Sequence, residues 1–291
     1  MTMQRLPLSL LRHHQDTLKG LGEIILRTTK LRKPKKIVTN WQQIPAISKI
    51  IAAPNDELIQ HYIAWSGAPA TRYQDHTPPH MVSQWGLSLA TDLLLLTKYN
   101  LASVINQGVT LTIKGNLPRH QDLLLQAKVY SVQEQNGLAR VSVQIITGTV
   151  TDPDLVETIL HMAFILPDFK KVKKTNITKE LSWKNVGNWQ ATTHEGLKFA
   201  LLTGDFNPIH WIGVVGKFST FKHKVLHGFG MLVRTYEFLP EPIQTLDVRF
   251  LKPVLLPTKN LQVEIAELIE GGHTVRLVSG EDHVHLLGQY Q

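Results

Sequence analysis

The sequence predicts an α+β protein in which one unit, a helix followed by an antiparallel meander, occurs twice. Three observations carry this. Stretches of apolar–polar alternation gather in two groups, within 108–166 and 245–290. A long apolar segment of helical character precedes each group, at 81–96 and 226–239. Asn136-Gly137 and Gly271-Gly272, both hairpin dipeptides, fall at corresponding places. The units share pattern and spacing rather than identity, and a period of roughly 120 residues is too long for a solenoid.

Taken in order, residues 6–31 read as a helix with imperfect amphipathic spacing. Lys30 to Lys36 is a basic tract broken by Pro34, and the chain reads as globular from about Trp41. Residues 81–96 follow Pro78-Pro79 and form the first helix. Residues 108–114, 123–133 and 138–147 alternate as half-buried strands do, and 158–166 adds a fourth. The lysine-rich stretch 168–179 lacks periodicity and reads as a linker. Beyond it come a helix at 226–239 and strands at 245–250, 261–267, 274–279 and 283–290. The division expected is a basic arm at 1–40, a first unit at 41–167 and a second at 180–291.

With 43% apolar and 19% charged residues, the composition is that of a soluble globular chain. No apolar run is long enough to span a bilayer, so no integral membrane segment is expected. Pro7 and Ser9 interrupt the first apolar stretch and Arg12 follows, which speaks against a signal peptide. There is no cysteine, which excludes disulfides and thiolate nucleophiles and fits a reducing, cytoplasmic compartment. Of the formal charge of +8, residues 1–40 carry +7 (nine Lys/Arg against Asp16 and Glu23), leaving +1 for residues 41–291. A nucleic-acid binder spreads its basic residues over the folded face, so no nucleic-acid partner is expected, and the arm is expected to be dispensable for chemistry. His13-His14 and the pair His283 and His285 lack a third ligand at metal spacing, so no metal is expected.

The chemistry-bearing segment begins at Thr192 and Glu195, which read as a capping box opening a helix through Phe199 and Leu201. Gly204 is placed to stop that helix. Asp205-Phe206-Asn207-Pro208-Ile209-His210 follows, kept from helix by Pro208. Asp205 and His210 are five apart, and a tight loop can bring them face to face. A carboxylate beside an imidazole offers two acid–base groups to one water, and Asn207 is placed to orient either. Turn chemistry alone is the competing explanation for Asp205 and Asn207. Next, Leu226-His227-Gly228 opens an apolar helix whose first N–H groups suit a developing oxyanion. The run from Asp247 to Val254 reads as a strand ending in a Lys-Pro turn.

In this order, FALLTGDFNPIH, VLHGFGMLV and DVRFLKPVLLP resemble the MaoC-like dehydratases and (R)-specific enoyl-CoA hydratases. The resemblance runs from about Glu195 to Glu267. It implies a double hot dog, each half an antiparallel sheet wrapped on a central helix. The N-terminal copy is degenerate: it lacks the Asp-x-Asn-Pro-x-His loop, and His80-Met81 stands where His227-Gly228 would. By the same resemblance, Asp205 and His210 are the catalytic pair, Asn207 the loop asparagine, and Gly228 the backbone donor to the thioester oxygen. The implied activity is reversible hydration of trans-2-enoyl-CoA to (R)-3-hydroxyacyl-CoA, a carbon–oxygen lyase reaction of fatty acid metabolism. It needs no cofactor, coenzyme A being part of the acyl-CoA substrate. The alternatives are an acyl-carrier-protein dehydratase and a non-catalytic thioester-binding protein. Lys222 and Lys224 are the candidates for the coenzyme A phosphates. Trp211 and Ile212 depart from the polar or acidic residues that often follow the family's loop histidine. Since a double hot dog makes its own pseudo-dimer, a monomer or a homodimer is expected.

Overall fold

The structure, a computed structural model, describes residues 6–14, 22, 37–169, 181–268, 271–280 and 283–291. Ten strands form one sheet. The first half supplies β1 (Ile47–Ile51), β2 (Ile105–Ile113), β3 (Leu123–Gln135), β4 (Leu138–Gly148) and β5 (Val156–Ile165). The second supplies β6 (Lys184–Ala191), β7 (Thr245–Phe250), β8 (Thr258–Glu267), β9 (His273–Val278) and β10 (Val284–Tyr290). The spatial order is β1-β3-β4-β5-β2-β7-β10-β9-β8-β6. Each half therefore runs first, third, fourth, fifth, second from its outer edge, and all neighbours are antiparallel. The halves join where β2 pairs with β7, from Gly108 opposite Arg249 to Thr112 opposite Thr245.

The helices are α1 (Asp56–Ser66), α2 (Ser83–Leu94), α3 (Glu195–Thr203), α4 (Gly213–Phe218) and α5 (Gly228–Tyr236). Along α2, Trp85, Leu89, Ala90 and Leu93 are buried; along α5, Phe229, Leu232, Val233 and Tyr236 are. These are helical spacings, so each helix turns one apolar stripe into the core. The strands answer with the alternating set Leu123, Leu125, Ala127 and Val129 on β3. Asn136 and Gly137 both take positive φ, 54° and 72°, closing the β3–β4 hairpin as the dipeptide predicts.

Several expectations are revised. The sequence reading passes over β1, α1 and β6. The first helical segment divides into a 3₁₀ turn (Pro79–Val82) and α2, because Pro79 fixes the entry. Residues 6–31 are not one helix within the described part: Leu8–His14 is a 3₁₀ helix, and most of the rest lies outside the described residues. Nor is that segment a free arm. Leu10 and His14 are fully buried, Leu6 packs against the cluster of Ala200, Leu201 and Phe206, and Arg12 pairs with Glu57 of α1 at 2.9 Å. Removing Leu10 from water drives the docking. From residue 170 onward the expected linker falls outside the described residues. Among those described, no helix is long and apolar enough to cross a membrane.

Candidate active site

The site is built on the end of α3. The helix starts at Glu195, and the capping box takes another form: the Thr192 hydroxyl donates to Glu195 Oε1 at 2.8 Å instead of accepting a backbone N–H. Glu195 is buried, so its carboxylate collects further donors, Lys198 at 2.9 Å and the Trp65 indole at 2.7 Å from the first half. Gly204 ends the helix at φ 82°, with its N–H on the Ala200 carbonyl. The chain then turns through Asp205 to a 3₁₀ turn at Pro208–His210.

Asn207 caps that turn, its Oδ1 accepting the Ile209 N–H at 3.3 Å. Asp205 Oδ1 accepts the Asn207 N–H at 3.3 Å, which leaves Oδ2 to the site. Asn207 thus shapes the loop with its side chain and holds the Asp205 carboxylate through its backbone N–H. Gly196 lets the loop lie against α3: a Cβ there would sit 1.9 Å from the His210 carbonyl oxygen. Trp211 donates its indole N–H to the Phe206 carbonyl at 3.2 Å and closes the loop, so it serves the loop's own packing.

Asp205, His210 and His227 each place one ligand atom within 4.8 Å of the other two. Two hydrogen bonds of about 2.8 Å meeting at one water oxygen span about 4.6 Å, so the cluster matches a single shared water. His210 Nδ1 lies 2.8 Å from the Val225 carbonyl. A carbonyl only accepts, so Nδ1 carries the proton and Nε2 is left with a lone pair. Burial pushes the His210 imidazole below its ordinary value, against the Asp205 charge and the Val225 carbonyl, which favour the proton. His210 is then neutral at pH 7 and able to accept a proton.

The sequence reading names His227 only as a helix start, and the structure puts its ring inside the site. It stacks on His210 with centroids 3.6 Å apart and planes at 26°. Its Nε2–H donates to the Asp205 carbonyl at 2.9 Å. Burial first, then the neighbouring His210, push His227 down to about 3. Its approach to Asp205 Oδ2 at 3.9 Å is therefore between a carboxylate and a neutral ring and makes no ion pair. Asp, His and His are also metal-ligand types. In this arrangement, however, the His227 Nε2 carries its proton to the Asp205 carbonyl and so offers no lone pair to an ion.

Gly228 is the first residue of α5, so its N–H is among those no intrahelical carbonyl can reach. The Phe250 ring lies over it, 2.6 Å from where a Cβ would stand, which explains the glycine and ties in the Arg249-Phe250 strand. The following segment pairs with the approach to His227: the Leu226 N–H donates to the Val254 carbonyl at 2.8 Å. Lys222 is exposed, whereas Lys224 donates to the Thr193 carbonyl at 2.9 Å. His285 is buried with both ring nitrogens engaged, by Ser279 and the Pro253 carbonyl, which answers the pairing of His283 with His285.

Residues 173–280 match the sequence model of the MaoC like domain. The second half of the chain is a MaoC-like domain. Similar solved structures include a MaoC-like dehydratase from Phytophthora capsici, with a TM-score of 0.70, 17% identity, and 87% of this chain and 97% of that one covered. HtdX of Mycobacterium tuberculosis gives a TM-score of 0.69 at 17% identity, covering 84% and 99%. A further Mycobacterium tuberculosis protein, which has a double hotdog fold, gives 0.55 at 10% identity, covering 87% and 97%. At such identities the likeness is one of fold, and the fold is the double hot dog. No curated protein matches the chain.

In the first half, the position corresponding to the MaoC-like domain's His227-Gly228 holds no acid–base pair of this kind. His80 is fully buried, with Nε2 2.7 Å from Glu237 Oε1 and Nδ1 3.1 Å from the Tyr62 hydroxyl. Arg72 closes the network on Glu237 at 2.7 Å. That histidine fastens the two halves together.

Proposed function

We propose that the protein adds water reversibly to a trans-2-enoyl-CoA, giving the (R)-3-hydroxyacyl-CoA. The observation that carries this reading is the Asp205 carboxylate beside a neutral His210 whose unprotonated Nε2 lies within reach of the same water, next to the first N–H of α5. In the forward step, His210 Nε2 takes a proton from the water while Asp205 Oδ2 holds the water's other hydrogen. The water oxygen bonds to C3, and the C2–C3 π pair moves toward the thioester carbonyl. The Gly228 N–H stabilises the resulting enolate oxygen. The enolate then collapses and C2 takes the proton from His210. Hydroxyl and hydrogen thus arrive on one face, and no oxidation state changes, so the step needs no redox cofactor. Of the two lysines, exposed Lys222 is the one proposed to meet the coenzyme A phosphates, since Lys224 is engaged by the Thr193 carbonyl.

Crotonyl-CoA hydration by the Asp205→Asn and His210→Ala variants tests this. Each single change is expected to lower kcat/KM by about 10²–10⁴, and the double variant to be little worse than the weaker single one. Near wild-type turnover in Asp205→Asn, with unfolding temperature unchanged, would remove the assignment.

A further inference from the structure

We propose that His227 is a positioning residue acting through both members of the pair: its Nε2–H holds the Asp205 backbone and its ring face holds His210. The proposal rests on the hydratase reading for its kinetic test and on geometry alone for its second test.

His227 immediately precedes α5, and its ring is sandwiched between His210 at 3.6 Å and Phe199 at 5.0 Å. The titratable groups against it are His210 and Asp205. Its two contacts make separate demands. Holding the Asp205 carbonyl at 2.9 Å requires a donor at the ring's edge. Lying flat on His210 requires an aromatic face. Phenylalanine meets only the second demand and asparagine only the first, whereas a histidine meets both. Its remaining nitrogen, Nδ1, is buried and has no hydrogen-bond partner among the described residues. A buried polar atom left unpaired costs stability, so packing alone would favour an apolar ring here. The nitrogen that is bonded goes to the backbone of Asp205, the residue whose carboxylate must face the water.

The stack has a chemical consequence for His210. One face of the His210 imidazole is covered by an uncharged ring instead of water, which disfavours the protonated form. His210 therefore gives up a captured proton more readily than a solvated imidazole would, which suits a group that must return that proton to C2 within the same turnover. The His210 Nδ1–H bond to Val225 fixes one edge of the ring, and the His227 face fixes its tilt.

His227→Phe and His227→Asn separate the two contacts. His227→Phe keeps the face and loses the donor, so kcat is expected to fall roughly 10- to 100-fold with the acid limb of kcat/KM where it was. His227→Asn keeps an N–H donor and loses the face, so the acid limb is expected to rise toward the ordinary histidine value, with a smaller loss of kcat. A side chain that merely fills space would lower both variants' activity alike and leave both pH profiles unmoved, and that result would overturn the proposal. NMR titration of the His210 ring in the ligand-free protein repeats the test without turnover: the midpoint should rise in His227→Asn and not in His227→Phe. Equal midpoints in all three proteins sink the inference even in an active hydratase. If the wild type proves inactive on enoyl-CoA, the proposed function fails and the titration still decides the role of His227. Should His227→Asn fail to fold, His227→Gln takes its place.

Discussion

Gly196→Ala places one methyl group where the His210 loop now lies. The added carbon would stand 1.9 Å from the His210 carbonyl oxygen and 2.7 Å from the carbonyl carbon. An ordinary carbon–oxygen contact is about 3.2 Å, so loop and helix must part by about 1.3 Å. Gly196 itself sits in the first turn of α3, where alanine is the better helix former, so the backbone offers no compensating reason for the glycine. Two losses are expected. Overpacking a tight contact costs about 1–3 kcal/mol of stability. A misplacement of about 1 Å in a catalytic group costs on the order of 10² in kcat. The assay is kcat and KM for crotonyl-CoA hydration alongside thermal unfolding. Gly213→Ala serves as control, since its added carbon meets nothing within 4 Å. A Gly196→Ala protein with kcat within two-fold of wild type would refute the argument that this close approach sets the His210 position.

The N-terminal segment and the two site histidines carry four further predictions. Leu10→Ala empties a fully buried position and should cost about 2–5 kcal/mol, read by denaturant unfolding. Deleting residues 1–14 should cost at least as much and lower hydration as well, because His14 bonds the Leu201 carbonyl at 2.7 Å just before the Asp205 turn; unchanged activity in the truncation would show the segment to be an appendage. Stability should fall on acidification. His227 is held near 3 when folded and titrates near 6.5 when unfolded, so between those values the unfolded state binds the extra proton. The stability present above about pH 6.5 is lost as pH drops, by about 2 kcal/mol at pH 5 from this group alone. His227→Phe should flatten that part of the pH–Tm curve, and an identical slope would contradict the neutral ring. Activity should hold a plateau at neutral pH and fall on an acid limb below 6.5, since burial lowers His210.

The fold was legible wherever the local pattern was strong. Residues 245–250 read as a strand and are one, and the Asn136-Gly137 turn is where it was expected, because a period of two and two positive φ angles are demands local residues express by themselves. β1 and β6 escaped notice because each is an edge strand of the sheet, with Ser48 and Lys49 on β1 and Lys184 and Asn185 on β6 exposed, so neither shows an unbroken alternation. In sequence Leu8–His14 looks like part of a free arm because its charge is conspicuous, while its docking uses both halves, Glu57 of α1 for Arg12 and the Leu201 carbonyl for His14.

At the site, the sequence by itself determined the chemical types and the local turn. Asp205, Asn207, Pro208 and His210 specify a capped non-helical loop, and Gly204 specifies where α3 stops, since caps and φ preferences act within a few residues. Only the tertiary structure decided which atoms meet. The Val225 carbonyl fixes the His210 tautomer from 15 residues away, His227 reaches the Asp205 carbonyl across 22, and Trp65 ties Glu195 to the other half across 130. Such contacts leave no periodicity to read. Their distances are set by how a double sheet brings the start of α5 against the end of α3, and the low dielectric of that junction is what holds His227 neutral.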